Sequence, residues 1–134
     1  MESISFQAPA GYGILQIAEK ALHNLLILHE VELTVIDDCE VALQELLTNI
    51  VEHSYGDNQD KTIEIRLWVD RKHLIIEVKD NGAPANIAIE SIAATDSGEL
   101  QASGYNLAVV EAIMDEVQYQ YRDDKNIWKL IKMI

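Results

Sequence analysis

A single cysteine, Cys39, cannot build an internal disulfide framework, so this chain has to hold itself together by packing, and a reducing compartment suits it. Proline and glycine are scarce, with two and six residues, which argues against a disordered, fibrous or low-complexity chain. No apolar run approaches the length of a bilayer-spanning helix. The opening MESISFQAPAGYG lacks the basic n-region and apolar h-region of a secretory signal. Basic residues are few as well: 10 Lys and Arg against 23 Asp and Glu leave a net charge of -13. Such a surface repels phosphate backbones and anionic lipid, so direct nucleic-acid and membrane binding are not expected. It attracts a basic partner protein, or serves solubility alone. A soluble cytoplasmic protein is the expectation.

What is present is an ordinary core-forming composition. With 134 residues, 49% hydrophobic and 25% charged, the chain 1–134 is expected to be one domain. Residues 13–30 (GILQIAEKALHNLLILHE) carry Leu15, Ala18, Leu22, Leu25, Leu26 and His29 at helical spacing. Residues 34–55 read as a second helix, capped by Thr34 or Asp37, with a core stripe of Val41, Ala42, Leu46, Leu47, Ile50 and Val51. The period then changes. TIEIRLWVD (62–70) and HLIIEVKD (73–80) alternate as half-buried strands, and together they predict a β-hairpin. Residues 81–103 show no period, and a loop that long in a compact domain is usually functional, here a candidate lid. A third helix is expected from Gly104 through GYNLAVVEAIMDEV, and a second hairpin turning at Asp123-Asp124-Lys125-Asn126 closes the chain. Helices on one side of a mainly antiparallel sheet make an α+β, two-layer sandwich.

Three stretches carry candidate chemistry. In QELLTNIVEHSY (44–55), Glu45, Asn49 and His53 fall four residues apart, on one helix face. A solvated face explains such a stripe, yet an asparagine inside a helix is unfavourable, and its carbonyl oxygen suits Mg²⁺ beside phosphates. Asp80-Asn81-Gly82-Ala83-Pro84 follows a strand. It is either plain turn chemistry or a carboxylate fixed to accept from an exocyclic amine, with Gly82 letting a base approach the backbone. Ser103-Gly104-Tyr105-Asn106-Leu107 heads a helix, an ordinary entry or a phosphate-binding terminus.

In this order, Glu-x-x-x-Asn on a helix, a strand ending in Asp-x-Gly, and a glycine-led helix, the chain resembles the GHKL ATPase superfamily across roughly residues 5–134. Within it, LQELLTNIVEHSY, VKDNGAP and GYNLAVVEAIMDEVQY are similar to the anti-sigma-factor serine/threonine protein kinases. The resemblance implies a Bergerat-type ATP-binding fold and the cofactors ATP and Mg²⁺. It implies Asn49 as the Mg²⁺ ligand and Glu45 as the general base acting on a serine hydroxyl or water. His53 is expected near the same site, Asp80 as the reader of adenine with Gly82 beside the base, and Gly104 and Asn106 at the phosphates under a lid of residues 85–103. It further implies a homodimer, built through the N-terminal strand and first helix, whose partners are a sigma-factor-like protein and an anti-sigma-factor antagonist. A histidine-kinase catalytic domain or a gyrase-like ATPase is not expected, because no phosphoacceptor helix pair or transducer domain is visible.

The chain also departs from the family. Asn106 stands where a second glycine is usual, Ser103 where the lid often has Arg or Lys, and no basic residue falls between Lys79 and Arg122. The final hairpin reads Asp124-Lys125-Asn126-Ile127-Trp128 in place of a Gly-Gly-Thr segment. These departures bear on phosphate binding and on the floor of the adenine pocket. They keep open a second expectation, a catalytically weak binding module that sequesters a regulatory partner without ATP turnover.

Overall fold

The computed structural model describes residues 2–55, 61–85 and 107–134, with residues 53–55 described by their backbone alone. Period-2 segments form the sheet. Strands β1 (Glu2–Pro9), β2 (Thr62–Val69), β3 (His73–Asp80), β4 (Glu116–Arg122) and β5 (Lys125–Met133) lie in the order β1-β2-β3-β5-β4, every neighbouring pair antiparallel. Ile63, Ile65, Leu67 and Val69 of β2 and Leu74, Ile76 and Val78 of β3 are buried on the inner face, as their alternation predicts. On the outer face the register sets Arg66 opposite Glu77 and Glu77 opposite Lys129, an opposite-charge row that suits water.

Both expected hairpins form, each for a local reason. At the first, the Asp70 carboxylate accepts from the backbone N–H groups of Lys72 and His73, both at 2.8 Å. Those bonds, the Lys72 one foremost, hold its pKa below the usual carboxylate value. At the second, Asp123 and Asp124 both adopt positive φ, 56° and 61°, the backbone of a two-residue turn that matches strand twist.

Helix α1 (Gly13–Leu28) packs on α2 (Leu33–Asn49), and the short α3 (Ala108–Ile113) packs against α2. Ile14, Ala18, Leu22, Leu25 and Leu26 of α1 join Ile36, Cys39, Ala42, Leu43, Leu46 and Leu47 of α2 in one core with the inner sheet face. Burial pushes the Cys39 thiol up to about 11, so it stays protonated as a small core group.

Four details differ from the sequence expectation. Val41 is 46% exposed, and Ile36, Cys39 and Leu43 take the core stripe, because the buried arc of α2 faces both α1 and the sheet. His29 is half-buried and pairs with Glu2 at 3.0 Å, an edge contact with β1. The N-cap of α2 is Glu32, with no side-chain capping bond from Thr34 or Asp37. The third helix, described over Ala108–Ile113 with residues 104–106 outside the described residues, ends earlier than expected: Met114 turns extended, and Glu116 already begins β4.

Helix α1 ends in a Schellman motif. Glu30 N–H donates to Ile27 C=O at 3.0 Å and Val31 N–H to Leu26 C=O at 3.1 Å, with Glu30 at a φ of 58°. A glutamate adopts that left-handed backbone at a steric cost that glycine avoids. Glu30→Gly is therefore expected to stabilise the fold by about 1 kcal/mol, seen as a higher urea midpoint at an unchanged slope.

Candidate functional site

Among the described residues, the buried polar or charged side chains other than aromatic ones are Asn49, Asp80 and Asn126, exposed by 7%, 1% and 0%. A core made of Leu, Ile and Val tolerates such groups only when each is hydrogen-bonded. Two of the three are residues that the sequence motifs single out.

Asn49 is the last residue of α2, and the helix changes pitch immediately after it. Residues Ile50–Tyr55 form a π-helix, a widened turn that is rare and frequent at functional sites. The Asn49 Nδ2 donates to the Glu45 carbonyl one turn back at 2.9 Å. Because that amide NH₂ is bonded to the helix backbone, Oδ1 is the atom through which Asn49 would hold a hard cation, and it is of the right chemistry for Mg²⁺. Glu45 is exposed on the same helix, so its carboxylate faces water and whatever docks there. Glu52, three residues past Asn49, accepts from the Tyr12 hydroxyl at 3.2 Å and ties the π-helix to the start of α1.

Asp80 ends β3 and continues the inward series Leu74, Ile76, Val78. Its Oδ1 accepts from Gly82 N–H at 3.0 Å and from Asn126 Nδ2 at 2.8 Å. The first bond is an Asx-turn, and it makes Asp-Asn-Gly a fixed corner in which Gly82 is itself buried. The second comes from β5, where Asn126 is the direct cross-strand partner of Asp80.

Asn126 is the residue that sequence motifs miss. Its Nδ2 also donates to Ala83 C=O at 2.9 Å, while its Oδ1 accepts from Ala85 N–H at 3.1 Å and from the Tyr119 hydroxyl. Ala85 N–H reaches the Tyr119 oxygen as well, at 2.9 Å. Tyr119 in turn packs on Trp128, ring centroids 4.4 Å apart. The segment expected to depart from the family thus supplies the partner of Asp80. One signal was available: Asn126, Trp128 and Leu130 alternate inward on β5, and an asparagine in that row needs a polar reason.

His53 lies in the π-helix, but its side chain, together with Gly104, Asn106, Ser103 and the lid beyond Ala85, falls outside the described residues. No group of three or more His, Cys, Asp or Glu among the described residues could hold a metal, and none of their helices is long and apolar enough to cross a membrane.

The sequence profile of the histidine kinase-like ATPase domain matches residues 9–132. The chain belongs to that family. ATP binding is the property the family name carries. The serine-protein kinase RsbW of Listeria monocytogenes is 24% identical over 132 residues, 94% of this chain and 84% of that one. The anti-sigma F factor of Clostridium novyi is 31% identical over 102 residues, 72% of this chain and 68% of that one. Among solved structures, the RsbU and RsbW domains of a Mycobacterium tuberculosis protein superpose with a TM-score of 0.71 at 17% identity. The match covers 99% of this chain and one third (33%) of that longer one. The SiaB–SiaC complex of Pseudomonas aeruginosa gives 0.60 at 15% identity, over 98% and 89%. Both likenesses establish the fold: helices on one face of an antiparallel sheet, as the GHKL resemblance implies.

Proposed function

We propose that this chain is an ATP-dependent serine/threonine protein kinase of the anti-sigma-factor type, which binds a small regulatory partner and phosphorylates it. The observation that carries the reading is the coincidence of Asn49 and Asp80, two of the three buried non-aromatic polar side chains among the described residues, with the motif positions of the family. A scaffold kept only for its shape has no need to bury a carboxylate and two amides in a Leu/Ile/Val core.

In this reading Asp80 accepts from the exocyclic amine of adenine, with Gly82 beside the base. Asn49 would hold Mg²⁺ through Oδ1, and the ion would supply screening of the phosphate charge that the acidic chain otherwise repels. Glu45 accepts the proton of a partner serine hydroxyl as its oxygen bonds to the γ-phosphorus; the bond to the β–γ bridging oxygen breaks and ADP leaves. The family resemblance assigns the His53 side chain, Gly104 and Asn106, all outside the described residues, to the same site. Relatives named as an anti-sigma factor and as a serine-protein kinase support a sigma-factor-like protein and its antagonist as partners. A homodimer through β1 and α1, in the cytoplasm, completes the reading. Ile4, Ile17 and Leu28 supply exposed apolar surface there, and β1 is an edge strand.

Calorimetric titration with ATP, with and without Mg²⁺, tests this. Binding that depends on Mg²⁺ is expected. No binding at millimolar ATP would overturn the kinase and leave the second reading, a partner-sequestering module without turnover, which the absence of Lys and Arg between residues 79 and 122 favours.

A further inference from the structure

An asparagine amide presents an acceptor at one end and two donors at the other, in nearly the same shape. At Asn126 the surroundings distinguish the ends. Two donors, Ala85 N–H and the Tyr119 hydroxyl, converge on Oδ1, and three acceptors, Asp80 Oδ1, Ala83 C=O and the more distant Gly82 C=O, converge on Nδ2. Turning the amide over would set NH₂ against N–H and oxygen against carboxylate. Tyr119 can act as the donor because it keeps its proton: burial, above all, raises its pKa. The ring is held in turn by its contact with Trp128. One amide on β5 therefore ties the strand end, the Asx corner and Ala85 into a unit.

From this we infer that Asn126, oriented by Tyr119, is a positioning residue that fixes the acceptor direction of Asp80 and thereby the base selectivity of the nucleotide site. The inference rests on the reading of Asp80 as the adenine acceptor. A carboxylate held in one direction accepts from an exocyclic amine and repels a carbonyl oxygen at the same place. A carboxylate free to swing discriminates less, because it can turn away from the repulsion. The amide touches Asp80, not the base; its effect is transmitted.

Two variants and two probes, ATP and ITP, test it. ITP differs at the purine position in question, with a carbonyl in place of the amine. Tyr119→Phe keeps the ring and its packing and removes only the hydroxyl. It is expected to speed hydrogen exchange at the Ala85 amide in the nucleotide-free protein and to lower the ATP-over-ITP preference about threefold. Asn126→Asp is nearly isosteric. When protonated, its new carboxyl still donates to Asp80. When ionised, it sets two carboxylates across a gap that is 2.8 Å in the native pair, which they cannot both occupy charged. Its ATP affinity, relative to wild type at the same pH, is expected to approach unity at the acid end and to fall roughly tenfold or more as pH rises.

Unchanged protection at Ala85 in Tyr119→Phe would overturn the clamp. Loosened amides with an unaltered ATP-to-ITP ratio would overturn the selectivity role while leaving Asp80 as the adenine reader. A loss in Asn126→Asp that is the same at every pH would reduce the residue to packing and overturn positioning. Wild-type protein that takes ATP and ITP equally would remove the Asp80 reading itself, and the inference with it.

Discussion

Asp80→Asn is expected to weaken ATP binding by roughly 100-fold while leaving the fold intact. The fold survives because the asparagine carbonyl can keep both bonds that Oδ1 now accepts, from Gly82 N–H and Asn126 Nδ2. Those two donors also dictate which way the new amide points. Its oxygen stays with them, so its NH₂ takes the place of Oδ2. An amide N–H donor would then face the exocyclic amine of adenine, and a charge-assisted acceptor would be lost in the same step. Calorimetry reads the affinity, and a thermal melt beside it reads the fold. A variant that melts like wild type and binds ATP as tightly would disprove the adenine role of Asp80. A variant that binds less and also unfolds would show only that the corner holds the sheet together.

That prediction depends on a contact that sequence motifs do not announce, and the reason is physical. Hairpins were legible because period-2 alternation and polar turns are local signals: Ile63, Ile65 and Val78 lie where alternation puts them. The positions of α1 and α2 were legible from a 3.6-residue rhythm, although the edges were not. Val41 and His29 satisfy the rhythm and still reach water, since the width of a buried arc depends on what packs beside it. The π-helix after Asn49 had no sequence signal, because a widened turn uses the same residues as an α-helix and differs only in its hydrogen bonds.

The site divides the same way. Asp80 and Asn49 are legible as candidates because each is a motif position, one at the end of β3 and the other at the end of α2. Asn126 was missed because its meaning is cross-strand: it is defined by register with Asp80, 46 residues away in the chain. The missing Gly-Gly-Thr segment marks only what the final hairpin lacks. The inward alternation of β5 would have shown what was present. A polar residue inside an apolar row is a stronger sign than a missing glycine, since burial without a partner costs about 1–3 kcal/mol.

Glu45 poses the opposite test, because its side chain is exposed and does little for stability. Glu45→Ala is expected to bind Mg²⁺-ATP as wild type does and to lose phosphoryl transfer by about 100-fold. Binding persists because Asn49 is held by the backbone carbonyl of residue 45, and alanine keeps that carbonyl and favours the helix. The loss falls at the low end of general-base effects, since the transition state of phosphoryl transfer is loose and little proton transfer precedes it. Glu45→Gln sharpens the test: it keeps the length and hydrogen bonding of the side chain and removes the proton acceptor. Equal losses in both variants, read as the rate of phosphate transfer to the partner protein at saturating ATP, would assign the effect to the carboxylate charge. Full transfer by Glu45→Ala would remove Glu45 from the mechanism. The catalytic power would then have to come from positioning alone, with α2 serving to hold Asn49 and the phosphates in line.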